Sequence, residues 1–471
     1  MKTVGNFVCS GSLLVAVLGL GCSPAMPGLD AALELRAVAP AAGPTAGGFE
    51  LSLDGDNFEI GARVTVGGVE AEQVAVTSPT HLTAILPASP GSWGPVSLTV
   101  TNPDGQIATR SDLFAYYASQ PDFTGTVFSG GRAAGPVIVS DFDRDQTPDI
   151  VVVNQGSNSV DLFLGNGIGG ISAASSVGAG FLGATLEGGT AGDFNGDGNM
   201  DLAVTLNRDY VSVLLGDGRG RLGAPNYAGA SDAPNQLAAA DFNGDKKLDL
   251  VVTNRTRGRD NVSVLFGDGR GGFAPPITWA VGASPGGVVV GDFNGDQNMD
   301  FAVADSENKI HVVIGDGKGG FIDQVTSVGP QNHPTMLAVG DFNRDRRLDL
   351  AATSVIDDDV MILLGNGLGG FGAPDTFPTG DAPNSLTVGD VNGDQLEDLA
   401  ITNGGSGSVS VLLGNGRGVF STATILPVSA NPQGVAVGDF NGDRKLDLVV
   451  SSGSYAASDV NSPSIWLNHS K

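Results

Sequence analysis

A nine-residue stretch that recurs at a nearly constant interval constrains the fold of this chain more than any other feature. Its third copy reads Asp241-Phe-Asn-Gly-Asp-Lys-Lys-Leu-Asp249, and seven copies occur in the 471 residues. They begin at Asp141, Asp193, Asp241, Asp292, Asp341, Asp390 and Asp439, so successive starts are 52, 48, 51, 49, 49 and 49 residues apart. A fixed period of this size is typical of a propeller or a solenoid, in which each repeat forms one supersecondary unit.

Every copy places an oxygen-bearing side chain at positions 1, 3, 5 and 9. A hard cation such as calcium takes about six to eight oxygen ligands. Three carboxylates, one amide, a backbone carbonyl near position 7 and water would supply them. The sequence therefore predicts up to seven structural calcium ions. The predicted ligands are Asp141, Asp143, Asp145, Asp149, Asp193, Asn195, Asp197, Asp201, Asp241, Asn243, Asp245, Asp249, Asp292, Asn294, Asp296, Asp300, Asp341, Asn343, Asp345, Asp349, Asp390, Asn392, Asp394, Asp398, Asp439, Asn441, Asp443 and Asp447.

A turn rich in Asp, Asn and Gly with solvated charges is the alternative interpretation. A turn alone would not need four fixed positions in seven copies, and crowding three carboxylates without a cation is costly. We therefore expect all seven copies to bind. The second, with Gly196 and Gly198 at positions 4 and 6, is the best suited because glycine allows positive φ. The fifth, with Arg344 at position 4, is expected to be the weakest.

Residues 1–22 have the pattern of an export signal. Lys2 is the one positive charge before a mostly apolar stretch over residues 7–20, which is too short to span a bilayer comfortably. The segment ends Leu-Gly-Leu-Gly-Cys22 and resembles a bacterial lipoprotein signal, although Gly19 stands where such signals usually have Leu. The resemblance implies a lipid on Cys22 and an exported protein, held at the outer membrane or cell surface. An ordinary cleaved signal and a secreted protein are the alternative.

Cys9 and Cys22 are the only cysteines, so no disulfide is expected in the mature chain. Residues 23–33, which carry Pro, Ala and Gly, are predicted to form a tether. No later stretch is apolar enough to cross a membrane, so membrane contact is expected only through the lipid anchor.

Residues 34–118 alternate apolar and polar side chains in short runs separated by turns, as half-buried strands do. About seven short strands in about 85 residues predict a β-sandwich. The segment resembles the IPT/TIG module, an immunoglobulin-like domain, and such modules serve as spacers or binding domains. The resemblance rests on Pro40, residues 43–48, Gly55-Asp-Asn-Phe58, Val66-Gly-Gly68 and Thr101-Asn-Pro-Asp-Gly105.

Residues 119–471 repeat one pattern of four strands around each acidic loop. In the third repeat, strands are predicted at residues 237–240, 250–253 and 262–266, and a glycine-rich turn leads into a fourth strand. Asn-Gly and Asp-Gly turns favour tight hairpins because both residues tolerate positive φ. These turns begin at Gly165, Gly216, Gly267, Gly315, Gly365 and Gly414.

The last repeat ends before a fourth strand, whereas residues 122–128 look like a fourth strand with no predecessor. We therefore predict that strand 122–128 completes the last blade, which closes the ring and removes exposed sheet edges. The predicted fold is all-β: an immunoglobulin-like β-sandwich followed by a seven-bladed β-propeller. An open array of repeats is the alternative.

The loop Asp-Phe-Asn-Gly-Asp-x-x-x-Asp resembles the FG-GAP/VCBS repeat of integrin α-chain propellers, bacterial surface proteins and some propeller lectins. The resemblance implies a calcium-binding propeller at the cell surface. It does not indicate the ligand, because function depends on sites grafted on a fold.

The net charge is −27, and the acidic loops hold 22 aspartates, four in the first and three in each of the other six. Seven calcium ions would add 14 positive charges and leave about −13. This balance argues against a nucleic-acid partner. The four histidines are scattered and no cysteine follows residue 22, which disfavours zinc hydrolases and Cys- or Ser-based catalysis.

Three function classes therefore stay open. We expect a non-catalytic surface protein for adhesion or ligand binding, whose partner is a protein or a glycan. The alternatives are a propeller lectin and a polysaccharide-active lyase or glycosidase. Loops on the rim opposite the acidic loops vary most and are the candidate ligand face. Possible contacts there are Tyr210, Trp279, His333 and Tyr455.

Overall fold

The computed structural model describes residues 32–44, 47–48, 50–88, 94–117, 122–130, 134–255, 260–327, 333–428, 431–453 and 463–469. The signal at residues 1–22, Cys22, most of the tether and Tyr455 lie outside them. The described residues form strands and turns, and they include no helix that could span a membrane. The chain is therefore all-β in the part that the structure describes.

The first domain is a sandwich of two sheets. Its strands are β1 (Glu34–Ala39), β2 (Ala42–Pro44), β3 (Glu50–Asp56), β4 (Arg63–Val66), β5 (Val69–Glu70), β6 (Glu72–Ser78), β7 (His81–Ile85), β8 (Gly94–Thr101) and β9 (Ile107–Tyr117). One sheet has the order β1-β3-β7-β6 and the other β2-β9-β8-β4-β5. Alternate residues of β3 point inward, so Leu51 and Leu53 are buried in the core between the sheets with Phe114 and Tyr116.

The remaining strands form seven four-stranded sheets among the described residues. Sheets one to three contain β11 (Ala134–Ser140), β12 (Asp149–Asn154), β13 (Ser159–Phe163), β14 (Ser175–Gly178); β15 (Leu186–Gly192), β16 (Asp201–Leu206), β17 (Tyr210–Leu214), β18 (Asn226–Gly229); β19 (Pro234–Ala240), β20 (Asp249–Asn254), β21 (Asn261–Leu265) and β22 (Ile277–Ala280). Sheets four to six contain β23 (Val288–Gly291), β24 (Asp300–Ala304), β25 (Lys309–Gly315), β26 (Phe321–Ser327); β27 (Pro334–Gly340), β28 (Asp349–Ser354), β29 (Asp359–Leu363), β30 (Asp375–Pro378); β31 (Pro383–Gly389), β32 (Asp398–Asn403), β33 (Ser408–Leu412) and β34 (Thr424–Pro427).

The seventh sheet joins two distant parts of the chain. It contains β35 (Pro432–Gly438), β36 (Asp447–Ser452), β37 (Ser464–Asn468) and β10 (Phe123–Val127), in the order β10-β37-β36-β35. Strand β10 pairs antiparallel with β37, with Phe123 opposite Asn468 and Val127 opposite Ser464. This is the pairing that the sequence predicts for strand 122–128.

Each sheet is covered on both faces by its neighbours. The second strands, such as β20, are buried at every position, as expected for strands sandwiched between blades. One apolar cluster fills the space between each pair of adjacent blades, and the seventh cluster packs Val137 and Phe163 of the first blade against Phe440 and Ile465 of the last. The innermost strands β11, β15, β19, β23, β27, β31 and β35 touch in turn, and β35 touches β11. The seven blades therefore close a ring.

Hydrogen bonds on the acidic-loop rim link each blade to the next. The carbonyl oxygen of Phe194, at position 2 of the second loop, accepts a hydrogen bond of 3.0 Å from Gly271 N in the glycine turn of blade three. Five further pairs repeat this bond, including Phe440 with Gly169 at 2.8 Å, which joins blade seven to blade one. The acidic loops and the glycine turns thus share one rim.

Asn468 replaces the missing glycine turn in blade seven. Its backbone N–H donates to Asp447 Oδ1 at 2.7 Å, the bond that the first turn glycine makes in the other blades. Its side-chain Nδ2 donates to the carbonyl oxygen of Val391 in loop six and to that of Leu446. One asparagine therefore supplies both contacts that a complete turn would make.

Candidate metal loops and the opposite rim

Backbone amides organise the side chains of each acidic loop around position 1. In the third loop, Asp241 Oδ1 accepts from Gly244 N at 2.7 Å and from Asp245 N at 3.2 Å, and Oδ2 accepts from Lys246 N at 2.7 Å. Asn243 Oδ1 accepts from Asp245 N at 2.9 Å. Such side-chain-to-backbone bonds fold the loop tightly around Asp241.

Positions 4 and 6 are left-handed in all seven loops. Glycine provides this conformation at both positions only in the second loop, where Gly196 and Gly198 have φ of 74° and 81°. Arg144 and Arg344 adopt it at position 4 with φ of 65° and 60°, which costs a non-glycine residue about 1–2 kcal/mol. The other residues at the two positions are Gly244, Gly295, Gly393, Gly442, Gln146, Lys246, Gln297, Arg346, Gln395 and Arg444.

Both arginines use their side chains to reach the following blade. Arg344 Nη2 donates to the carbonyl oxygen of Gln395 at 2.7 Å, and Arg144 Nη1 donates to Asn199 Oδ1 at 3.3 Å. The bond to the next loop therefore offsets part of the backbone strain at these two positions.

The aspartate at position 9 is fully buried in every loop. Asp249, for example, has no exposed surface, and it accepts from Phe242 N at 3.0 Å and from Gly267 N at 2.8 Å. It therefore connects its own loop to the glycine turn. The other six position-9 aspartates accept the same pair of backbone bonds, except that in blade seven Asn468 N replaces the turn glycine as one donor. They are Asp149, Asp201, Asp300, Asp349, Asp398 and Asp447.

These seven carboxylates lack a positive partner. No described lysine or arginine forms an ion pair with any of them. Burial raises the pKa of all seven carboxyls, and the hydrogen bonds from backbone amides offset only part of that rise. The pKa is about 6 in six of the loops, and that of Asp398 lies well above its ordinary value. A buried carboxylate in this position is stabilised by a nearby cation.

In the first loop three carboxylates converge on one point. One oxygen from each of Asp141, Asp143 and Asp149 lies within 4.8 Å of the others. Three hard oxygen donors at this separation fit a divalent ion such as calcium, which takes ligands at about 2.3–2.6 Å from its centre. The donor set is thus compatible with the metal that the sequence predicts.

The sixth loop is the most enclosed. Asn392 and Asp394 are buried, whereas their counterparts in the other loops are at least partly exposed. Asp390 Oδ1 is buried and has no hydrogen bond. Burial raises the pKa of the Asp390 carboxyl, and nearby backbone amides offset part of that rise. A cation would satisfy an oxygen that the protein leaves unpaired.

On the opposite rim, a cavity of about 400 Å³ lies where blades three, four and five meet. Its lining includes Arg255, Ser284, Ser306, His333 and Thr335. Arg255 Nε donates to a backbone carbonyl at 2.9 Å. Neighbouring side chains partly desolvate this guanidinium and lower its pKa, and the charge of Glu187 partly offsets that effect. Apolar side chains such as Val355 and Ile356 line the cavity beside these polar groups, and the exposed Arg255 contributes a positive charge.

A second polar group on this rim joins three residues of blade four. His311 Nε2 lies 3.1 Å from Asp305 Oδ2, and its Nδ1 lies 3.0 Å from Asp323 Oδ2. The N–H of Gly282 also points at Nε2, at 2.9 Å. Burial opposes a charge on the imidazole, but the two carboxylates outweigh it and raise the pKa of His311. The sequence does not reveal this group because β25 and β26 bring the residues together only through their register.

Models of known protein families match both parts of this chain. The FG-GAP-like repeat matches residues 141–204, 193–252, 241–303, 292–352 and 390–450, more than half of the chain, and the IPT/TIG domain matches residues 33–116. The chain belongs to the FG-GAP-like repeat family. The resemblances to the FG-GAP repeat and to the IPT/TIG module are confirmed, and the lipoprotein signal stays a prediction. Among curated proteins, none matches the chain significantly.

Solved structures resemble this chain at low identity. A crystal structure of BBS1N in complex with ARL6DN is 13% identical, with a TM-score of 0.51, and covers 74% of this chain and 96% of that one. An auxiliary nutrient binding protein from Bacteroides ovatus ATCC 8483 is also 13% identical, with a TM-score of 0.42, and covers 93% of this chain and 99% of that one. The likeness to BBS1N concerns the fold alone.

Three of the four candidate rim residues lie in the described part of the propeller, each in different surroundings. Trp279 packs against Phe321 with ring centroids 4.9 Å apart, so it is partly buried against the core between blades three and four. His333 lines the 400 Å³ cavity. Tyr210 is 40% exposed at the edge of blade two and contacts two other rings. Tyr455 lies outside the described residues.

Proposed function

We propose that this FG-GAP protein is an exported, calcium-stabilised propeller that binds a surface ligand, a protein or a glycan, without catalysis. The observation that carries the calcium proposal is the set of seven fully buried position-9 aspartates without a positive partner. A carboxylate that is buried and ionised needs a nearby positive charge. The calcium ions are structural in this proposal.

A cation in the loop would act on two elements at once. Asp249 accepts hydrogen bonds both from its own loop, at Phe242, and from the turn between the third and fourth strands, at Gly267. The same turn also donates to the preceding blade, through Gly271 and Phe194. An ion bound to Asp249 therefore supports the contact between neighbouring blades as well as the loop itself.

The arrangement of the histidines supports a binding role over catalysis. The one histidine between two carboxylates, His311, has a side chain only 7% exposed, and Asp305 and Asp323 occupy both ring nitrogens. Such an imidazole cannot reach a substrate. His81 pairs with Asp54 on the first domain, far from the propeller cavities in sequence. None of the described histidines hydrogen-bonds a serine hydroxyl, as nucleophilic catalysis requires.

The rim opposite the acidic loops is the proposed ligand face. The acidic-loop rim repeats the same bonds in six blades, with Asn468 in place of the turn in the seventh, whereas the opposite rim differs from blade to blade and contains the cavity beside Arg255. Variable loops on a rigid scaffold are where binding usually occurs. We place export and a lipid on Cys22 in the same proposal, as the amino-terminal sequence indicates.

Counting bound ions tests the calcium proposal. The full chain is dialysed against buffered calcium, and bound calcium is measured by elemental analysis. The expected result is up to seven ions per chain, and one fewer in an Asp249→Asn variant. Asp268→Asn is the matched control, because Asp268 is an exposed aspartate in the glycine turn of the same blade. Calcium at background level in the folded chain would overturn the proposal.

A further inference from the structure

Three aromatic rings meet at the outer edge of blade two, on the rim opposite the acidic loops. The ring centroids of Phe181 and Tyr210 are 5.8 Å apart, those of Phe181 and Tyr227 5.6 Å, and those of Tyr210 and Tyr227 6.3 Å. The rings are steeply inclined to one another, at 73–85°. Tyr210 and Tyr227 remain 40% and 39% exposed. We call these three rings the aromatic corner.

Strand register explains why the tyrosines meet. Tyr210 on β17 lies opposite Gly229 on β18, and Tyr227 lies opposite Ser212. All four residues therefore share one face of the blade, and the two tyrosines are diagonal neighbours. The small residues Gly229 and Ser212 leave room for the rings. Leu214, two residues beyond Ser212, packs into the cluster with blade one, so this face looks toward blade one.

The propeller fold does not require these rings. In blades one and three to six, the residues at the position of Tyr210 are Ser159, Asn261, Lys309, Asp359 and Ser408. Those at the position of Tyr227 are Ser176, Thr278, Val325, Thr376 and Ile425. None of them is aromatic. The two tyrosines are thus particular to blade two.

The third ring lies on a longer connection. Seven residues separate Gly178 at the end of β14 from Leu186 at the start of β15, whereas four separate Gly229 from Pro234 in the next connection. The connection ahead of blade two contains Phe181, which packs against the tyrosines, and Leu182, which is 100% exposed. The longer loop therefore adds apolar surface beside the tyrosines.

A buried polar atom on the same face also lacks a partner. Ser212 Oγ is buried without a hydrogen bond. The equivalent Ser263 accepts from Asn254 Nδ2 at 2.9 Å, but in blade two Leu206 stands at the asparagine position. A hydroxyl group that enters beside Tyr227 would find an unpaired partner there.

The size and chemistry of the aromatic corner indicate what it binds. A tyrosine side chain presents about 200 Å², so 40% exposure leaves about 80 Å² on each. This area is far below the ~800 Å² per partner of a stable protein interface. Arg208 and Asp209, both exposed, border the rings with polar groups, and neither tyrosine hydroxyl bonds to a described residue. Flat apolar surface with hydroxyl and charged groups beside it matches a sugar ring.

We propose that the aromatic corner is a carbohydrate-binding site, at which a sugar ring stacks on Tyr210 or Tyr227 and its hydroxyls bond to the polar border. This inference rests on the proposed binding function and names its ligand class and location. Rigid aromatic side chains are efficient anchors because they bury large area at low entropic cost. The ligand is a glycan chain outside the cell, of which one sugar unit occupies the corner.

Binding of the calcium-loaded full chain to an array of immobilised oligosaccharides tests the proposal. We expect binding to at least one glycan, and we expect the double variant Tyr210→Ser/Tyr227→Thr to weaken it about tenfold or more. The substitutions introduce residues that other blades hold at these positions, so the fold should persist. Melting temperature and bound calcium, measured on the same samples, should not change.

Ile425→Thr in blade six is the matched control. Ile425 occupies the position of Tyr227, opposite Ser410, and is 49% exposed. Its substitution should leave glycan binding unchanged. Undiminished glycan binding by the double variant would overturn the aromatic corner but leave a binding function elsewhere. The absence of glycan binding by the folded, calcium-loaded wild type, or binding of peptides alone at the corner, would overturn the sugar assignment without affecting the calcium count.

Discussion

Replacing Asp249 by asparagine removes a buried negative charge from the third loop while preserving the size of the side chain. The carboxylate accepts two backbone hydrogen bonds, from Phe242 and Gly267. Asparagine has one acceptor oxygen, so one buried N–H loses its partner at a cost of about 1–3 kcal/mol. In calcium the variant also loses a bound ion. If calcium is present at about 100 times the dissociation constant, that ion contributes about 2.7 kcal/mol.

The effect of the substitution therefore depends on calcium. In saturating calcium we expect a destabilisation of about 4–6 kcal/mol, the sum of the lost hydrogen bond and the lost ion. In chelator we expect at most about 1–3 kcal/mol, reduced further because the variant no longer buries an ionised group whose pKa burial raises to about 6. The unfolding entropy of about 350 residues gives roughly 1.4 °C per kcal/mol. The two conditions should thus differ by about 4 °C or more in the melting-temperature shift.

Thermal melts of wild type, Asp249→Asn and Asp268→Asn in both conditions measure this coupling. Asp268 accepts bonds only within the glycine turn and is exposed, so its variant should shift little and equally in both conditions. The same shift for Asp249→Asn with and without calcium would refute the argument, since the aspartate would then act through its hydrogen bonds alone.

Three further predictions concern ring closure, loop strain and pH. Asn468→Ala should cost about 1–3 kcal/mol and speed hydrogen exchange in β10, because the carbonyls of Val391 and Leu446 lose their donor. In denaturant unfolding, Arg344→Ala should cost about 1 kcal/mol through the lost bond to Gln395, whereas Arg344→Gly should be nearly neutral because it also relieves the left-handed strain. The folded-state pKa of His311 is raised above 6.5, so the wild type should lose stability as pH rises through that pKa. Thermal melts between about pH 5.5 and about pH 8.5 should show this loss in the wild type and not in His311→Gln.

The repeat predicted the architecture because its signals are local. The sharp loop needs left-handed residues at two places, and the glycines at positions 4 and 6 of the second loop indicate both. Strand β10 could be assigned to the last blade because residues 122–128 lack a preceding strand and the last repeat lacks a final one. The first inference uses residues within one loop, and the second uses the number of strands in each repeat.

What the sequence did not predict depends on register. Tyr210 and Tyr227 are separated by a complete hairpin, and only the pairing of β17 with β18 places them on one face. His311 and Asp323 meet in the same way across β25 and β26. The role of Asn468 could not be predicted, because a single asparagine in the sequence does not indicate which glycine turn it replaces.

The calcium affinity of a loop depends on contacts that its own nine residues do not show. Arg344 at position 4 predicted the weakest loop, but its side chain donates to the neighbouring blade and recovers part of the strain. The sixth loop, with Asp394 and Asn392 buried, has the greatest need for a counter-charge. Ranking of the seven loops therefore depends on their surroundings as well as on their own residues.

The melting temperature of the full chain in calcium and in chelator, at matched ionic strength, tests the central claim most directly. Sites with dissociation constants of about 10⁻⁴–10⁻³ M, at about 10 mM calcium, each add roughly 1.4–2.7 kcal/mol to stability. Seven such sites should raise the melting temperature by well over 10 °C, and magnesium at the same concentration should raise it less. Equal melting temperatures in calcium and chelator would mean that the seven buried aspartates are held by hydrogen bonds alone and that the loops are turns without a metal.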